Sequence, residues 1–270
     1  MSIAKPDVPS DPAAAPPPAR RGRVLAVTSG KGGVGKTFVS ANLAAALALR
    51  GERVLVLDAD LGLANLDVVL NLVPKITLHD VFTGKAALDD AIVPAPGGFS
   101  VLLAGSGMVE YSRLTPEVRE QLLAVIETLA PRFDRILLDT GAGISDVVLH
   151  AISLADDVAL IVTSEPSSMT DAYATVKVLA SQQQRGTIRL VVNQVSRLGE
   201  GRAVCAQLQR VIDRYVNPTA SPPVRLDLLG AIPADAAVRE TVQKRQLLLE
   251  IYPGSPAAKA IGALAERLAQ

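Results

Sequence analysis

Eight residues, Gly30-Lys31-Gly32-Gly33-Val34-Gly35-Lys36-Thr37, limit what this chain can fold into more than any other stretch. They follow the β-branched run "RVLAVTS" and precede the apolar helical pattern "FVSANLAAALALR", so the chain turns here from a strand directly into a helix. In that context the spacing G-x-x-x-x-G-K-[ST] is a phosphate-binding loop. Glycines let backbone N–H groups converge on phosphate oxygens, and the helix N-terminus adds its positive dipole end. Lys36 then neutralises the β- and γ-phosphates and the Thr37 hydroxyl ligates Mg²⁺. The loop is complete without Lys31, so the second lysine needs a reason of its own.

A strand–loop–helix unit of this kind belongs in a parallel sheet, and the rest of the chain supplies one. "RVLVLDAD", "FSVLLAG", "RILLDTG", "DVALIVTS", "IRLVVNQ" and "LDLLGAIP" each fit a buried strand. Between them, residues 38–50, 116–130, 145–154, 169–183, 201–215 and 234–245 read as helices, with Gly51 ending the first behind Arg50 and Ser145 capping the third. About half the residues (49%) are apolar and only 3% are aromatic, so the core must be built from Ala, Val, Ile and Leu, as in a parallel sheet clad in helices. The expected fold is α/β: a doubly wound, mostly parallel sheet with helices on both faces and its ligand site at the carboxyl ends of the strands. Residues 22–270 read as one domain, with 217–223 as the loop before the last strand, and residues 1–21 as a disordered Pro/Ala-rich tail.

Two further strands end in carboxylates. "VLVLDADLGLANLD" places Asp58 and Asp60 at a strand's carboxyl end, where acids can hold metal-bound water or orient an attacking water. "RILLDTGAG" places Asp139 after three apolar residues, the form of a Walker B acid, and Gly141 and Gly143 free the backbone to approach a γ-phosphate.

The run from Lys31 to Thr37 resembles the deviant Walker A motif of the MinD/ParA ATPases, and the resemblance extends over nearly all of the chain after residue 22. It implies that Lys31 reaches across a homodimer interface to the partner's ATP while Lys36 serves its own. "DADLGLANLD" resembles the family's switch I, which implies that Asp60 positions the hydrolytic water and that Asp58 supports the phosphate and metal site. "DTGAGI" resembles switch II, with Asp139 bonded to a magnesium-bound water. Asn193 in "VVNQV", and Pro233 and Asp235 in "GAIPAD", sit where the family contacts adenine.

"EPSSMTDAYATVKVL" and the closing "IPADAAVRETVQKRQLLLEIYPGSPAAKAI" are most similar to the FlhG/FleN branch, regulators of flagellar number and placement. That implies a slow, dimer-dependent ATPase with a signal-recognition-type GTPase and a transcriptional activator as partners. Ser167, Ser168, Thr170 and Asp171 are read as capping residues of the helix that follows. The branch's N-terminal activation segment has no counterpart in the tail, and the last helix, "PAAKAIGALAERLAQ", has too weak an apolar stripe for a membrane surface. It is expected to pack on the domain, leaving recruitment to the inner face of the plasma membrane to a partner.

Other classes fit less well. Lys plus Arg and Asp plus Glu number 27 each, so direct DNA binding of the ParA partition kind gains nothing from bulk charge. A MinD-like septum-site role would need the membrane helix. The lone Cys205 cannot form an internal disulfide or supply the ligands of a cluster-assembly site, and it suits a cytoplasmic protein. No apolar run approaches a membrane span. His79 and His150 are read as helix-face or core residues, Gly105-Ser106-Gly107 as a turn, and Arg20, Arg21, Arg23, Lys244 and Arg245 as solvated.

Overall fold

In strand β1 (Arg23–Ser29), Val24 and Ala26 face one side of the sheet and Leu25 and Val27 the other, each 1% exposed or less. Side chains alternate along a strand, so a strand apolar at every position must be covered on both faces. The computed structural model describes residues 21–62, 64–105 and 114–270 and shows that cover. With β2 (Val54–Ala59), β3 (Ile92–Pro94), β4 (Ser100–Leu102), β5 (Arg135–Ala142), β6 (Asp157–Val162), β7 (Thr187–Val195) and β8 (Arg225–Pro233), β1 forms one sheet ordered β3-β4-β2-β5-β1-β6-β7-β8. Every pairing is parallel except that of β3 with β4.

One face packs against α5 (Pro116–Leu129), α6 (Asp146–Ser153), α7 (Pro166–Gln183) and α8 (Glu200–Tyr215). The other packs against α1 (Lys36–Ala48), α2 (Leu66–Leu70), α10 (Leu248–Ile251) and α11 (Pro256–Leu268). The expected doubly wound architecture and all seven expected strands are present. Sequence periodicity misses β3, α2, α3 (Leu78–Phe82), α4 (Leu88–Ala91) and α10, each of three to five residues and too short to show a period. The helix expected over 234–245 is α9 (Ala236–Lys244). Residues 1–20, with the proposed tail and Arg20, lie outside the described residues, as do Ser106 and Gly107 of the expected turn.

Helix ends differ from expectation in instructive ways. Gly51, at φ +88°, does terminate α1, its N–H donating to the Ala48 carbonyl at 2.9 Å. Ser145 occupies the N-cap position of α6 without a capping hydrogen bond. Helix α7 begins at Pro166, three residues earlier than expected, because proline at the first helical position is itself a start signal. Ser167, Ser168, Thr170 and Asp171 therefore lie inside the helix and cap nothing. The Ser168 hydroxyl instead accepts the Thr163 N–H at 3.0 Å, and Thr170 donates back to the Pro166 carbonyl at 2.9 Å.

The last helix packs as expected. Ala257, Ala258, Ile261, Leu264, Ala265 and Leu268 of α11 are buried, so its apolar stripe faces the core and not a bilayer. Side chains from the sheet and from α11 itself fix it there. The buried Arg135 guanidinium pairs with Glu52 at 2.9 Å and donates to the Leu268 carbonyl at 3.1 Å, while Arg267 donates to the Leu229 carbonyl at 2.6 Å. Among the described residues, no helix is long and apolar enough to cross a membrane.

Candidate functional site

The loop from Gly30 to Gly35 joins β1 to α1 at the carboxyl edge of the sheet. Two of its glycines leave no room for a side chain. A Cβ on Gly30 would lie 2.3 Å from the Asp171 carbonyl carbon, so only glycine lets the loop pass α7. Gly35 sits at φ +90°, and a Cβ there would lie 2.5 Å from Asn193 Nδ2. Val34 is buried and anchors the loop in the core, whereas Gly32 and Gly33 are exposed.

The two lysines point to different partners. Lys36, the first residue of α1, donates to Asp139 Oδ1 at 3.1 Å, with side chains 10% and 2% exposed. One helical turn on, the fully buried Ser40 hydroxyl donates to the same oxygen at 2.8 Å. Lys31 lies on the loop surface and donates to Glu165 Oε2 and to Ser167 Oγ, both at 2.8 Å. Its side chain is 37% exposed and that of Glu165 63%, so the contact is worth roughly 1 kcal/mol or less. Lys36 is therefore held on a buried acid and Lys31 on an exposed one.

Asp58 and Asp139 stand side by side on β2 and β5. The Asp58 carboxylate, 1% exposed, accepts the N–H groups of Asp60 at 3.1 Å and Leu66 at 3.3 Å, which ties the loop after β2 to the start of α2. Burial pushes its pKa up to about 8, Asp139 adds to the rise, and the two N–H groups oppose it. Asp60 faces Gly141, where an added Cβ would come within 3.4 Å of Oδ1. Gly32, Asp60 and Gly141 line one cleft of about 610 Å³.

On the opposite side of the loop a cleft of about 450 Å³ runs between β7, β8 and α9, lined by Gly35, Phe38, Asn193, Pro233 and Asp235 among others. The Asn193 amide donates to the Val34 carbonyl at 2.8 Å, and its oxygen accepts the Gln194 N–H at 2.9 Å. Asp235 caps α9, accepting the N–H groups of Ala237 at 2.9 Å and Ala257 at 3.1 Å. Burial raises its carboxyl pKa, but these N–H groups and the Ser255 hydroxyl outweigh that and hold it below the usual value.

Phosphate loop, switch acids and side cleft thus share one edge of the sheet. Sequence reading misses Ser40, Glu165 and Gln194. Ser40 was findable, since it lies one helical turn from Lys36 on the same face. Glu165 was not, because 134 residues separate it from Lys31.

The remaining residues singled out in sequence fall elsewhere. His79 lies on α3 and His150 on α6, where burial lowers the latter's pKa, and Cys205 is half-buried in α8. Among the described residues, no group of three His, Cys, Asp or Glu side chains could hold a metal ion by itself.

Comparison with known proteins agrees with this geometry. The ParA family profile, described as NUBPL iron-transfer P-loop NTPase, matches residues 21–269. The antiactivator FleN of Pseudomonas aeruginosa is 42% identical, over 91% of this chain and 86% of FleN. The flagellum site-determining protein YlxH of Helicobacter pylori is 33% identical, over 90% of this chain and 80% of YlxH. The septum site-determining protein MinD of Pyrococcus horikoshii, solved with Mg-ADP, superposes with a TM-score of 0.71 at 30% identity, covering 91% and 95% of the two chains. Loop, paired acids, sheet order and these matches converge: the chain belongs to the ParA/MinD family of P-loop NTPases.

Proposed function

We propose that the chain is an ATP-dependent dimerising switch that regulates flagellar number or placement. The observation that carries this reading is the division of labour between the two loop lysines. Lys36 faces inward on a buried acid beside its own loop, and Lys31 faces outward on a weak, solvent-exposed contact.

The donor set fits Mg²⁺-ATP. A hydroxyl (Thr37) and carboxylates (Asp139, Asp60) are hard oxygen donors, and Mg²⁺ bound with a nucleotide takes one or two carboxylates, directly or through water, beside the phosphates. The absence of a ready-made acidic cage among the described residues is consistent with that mode. Bound Mg²⁺ neutralises phosphate charge and orients the terminal phosphate for attack.

The chain's own residues do the rest. Backbone N–H groups from Gly30 to Thr37 cradle the phosphates. Lys36 would exchange Asp139 for phosphate oxygens, and Asp139 so released would help hold Mg²⁺ through water. Asp60, beside Gly141, orients the attacking water, and Asp58 keeps the Asp60 loop in register through its two backbone contacts. Asn193, Pro233 and Asp235 shape the base cleft. Lys31 leaves Glu165 and Ser167 for the triphosphate of a second copy, so the dimer forms only when ATP is bound and slow hydrolysis resets it. The flagellar assignment rests on the likeness to FleN and YlxH, with a signal-recognition-type GTPase and a transcriptional activator as the partners of the ATP-bound dimer. The packed α11 leaves membrane recruitment to those partners, from a cytoplasmic pool.

Sedimentation with and without Mg-ATP tests the switch. The native chain should become a dimer with ATP, Lys36→Ala should bind no ATP, and Lys31→Ala should bind ATP as a monomer. Asp60→Ala should stay dimeric and not turn over. Dimerisation of Lys31→Ala equal to native would refute the role of that lysine. In the host, deletion should change the number or position of flagella, restored by the native gene and not by Lys31→Ala. An unchanged flagellar count would redirect the function to septum or DNA positioning.

A further inference from the structure

The cleft beside Gly35 contains more polar side chains than it leaves available. Both ends of the Asn193 amide are occupied, by the Val34 carbonyl and the Gln194 N–H, and both Asp235 oxygens accept backbone N–H groups. Among the described residues, the side chains of Gln194 and Gln243, which also line the cleft, have no hydrogen-bond partner.

Gln194 is singled out by its backbone. Among the described residues, four non-glycine residues have positive φ, and three of them, Asn71, Gln184 and Arg245, are helix C-caps, where that conformation is ordinary. The fourth, Gln194 at φ +60°, lies inside β7 where the ladder to β8 slips between Val192 and Val195. No helix ends there. A left-handed glutamine in a strand persists only because its surroundings impose it, and such residues gather at ligand sites. In that conformation its N–H donates to the Asn193 side chain, the same group that holds the P-loop carbonyl of Val34.

We propose that Gln194 reads the purine base and that Asn193 is the positioning residue that sets Gln194 at a fixed place relative to the phosphate loop. The carboxamide offers an acceptor and a donor, which match the 6-amino group and N7 of adenine. A 6-oxopurine presents two acceptors on that edge and leaves the glutamine oxygen facing another oxygen. Phe38, Val238 and Val242 form the apolar walls against which the ring stacks. This inference rests on the nucleotide reading above.

The test is equilibrium binding of Mg-ATP, Mg-ITP and tripolyphosphate by calorimetry, in native protein and in Gln194→Gly. One well-made base contact is worth roughly 5- to 150-fold in discrimination. Native protein should prefer ATP over ITP within that range, and Gln194→Gly should bring the ratio close to one without changing tripolyphosphate affinity. Glycine adopts φ +60° freely, so the variant should unfold no lower than native, and loss of fold cannot explain the result. Asn193→Ala should lower both the ratio and the tripolyphosphate affinity, which separates the positioning residue from the reader. An ATP-to-ITP ratio unchanged in Gln194→Gly would overturn the inference alone. Native protein that binds neither ATP nor tripolyphosphate would overturn the nucleotide reading itself.

Discussion

The Lys36–Asp139 pair allows the sharpest stability test of the site. The two groups lie 3.1 Å apart with side chains 10% and 2% exposed, and Ser40 donates to the same carboxylate oxygen at 2.8 Å. At an effective dielectric of about 20 their attraction is of order 5 kcal/mol, before the cost of desolvating both charges. Removing one partner leaves the other buried and uncompensated, which costs about 3–5 kcal/mol. For a domain of this size, 1 kcal/mol corresponds to roughly 2–4 °C. Asp139→Asn, which keeps the shape and removes the charge, should therefore lower the melting temperature of nucleotide-free protein by roughly 6–20 °C. Ser40→Ala should cost about 2 kcal/mol, as expected for a hydrogen bond to a charged acceptor.

The decisive arm is the double variant Lys36→Met with Asp139→Asn. With no charge left unpaired, it should be more stable than the sum of the single losses implies, by about 2 kcal/mol or more. The assay is thermal and urea unfolding followed by circular dichroism at pH 7. Strict additivity, or a shift of less than about 3 °C for Asp139→Asn, would refute the claim that the pair is desolvated and coupled.

Gly30→Ala places a Cβ 2.3 Å from backbone of α7, with no flexible side chain to yield, so it should abolish nucleotide binding in calorimetry or prevent soluble expression; native-like affinity would show that the loop and α7 are not so closely packed. Arg135→Ala unpairs Glu52 and frees the Leu268 carbonyl, and should raise amide exchange at the end of α11 ahead of the rest of the domain; uniform exchange would show that Arg135 does not anchor the helix. The Asp80 carboxylate is held below its ordinary pKa by the Thr77 N–H and hydroxyl in the capping box of α3. A depressed acid contributes stability above its unfolded pKa and loses it as pH falls through the folded one, so the melting-temperature gap between native and Asp80→Asn should be full at pH 7 and shrink below about pH 4; a gap independent of pH would rule out an ionic contribution.

The sheet was legible because β1, β2 and β5 to β8 are apolar on both faces and long enough to stand out, and the loop because its glycines and lysines lie within eight residues. Asp58, Asp60 and Asp139 were legible because a strand end is a predictable place for a site. What joins those parts was not. The Lys31–Glu165 contact, the double use of Asn193 and the tie from Asp58 to Leu66 depend on which loops meet above the sheet, and neither periodicity nor local spacing encodes that. The start of α7 was misplaced for a local reason, since the proline that opens it was passed over in favour of the serines behind it.

The order of the strands also sets how the molecule opens. β1 is hydrogen-bonded on both sides, to β5 and to β6, with helices over both faces, whereas β3 and β4 are three-residue strands at one rim. Amide exchange in β1 and β5 therefore requires nearly global unfolding, while the β3–β4 rim can detach at a fraction of that free energy. The phosphate loop and Asp139 hang from two strands that are paired on both sides, so the lysines should keep a fixed origin even when the rim detaches.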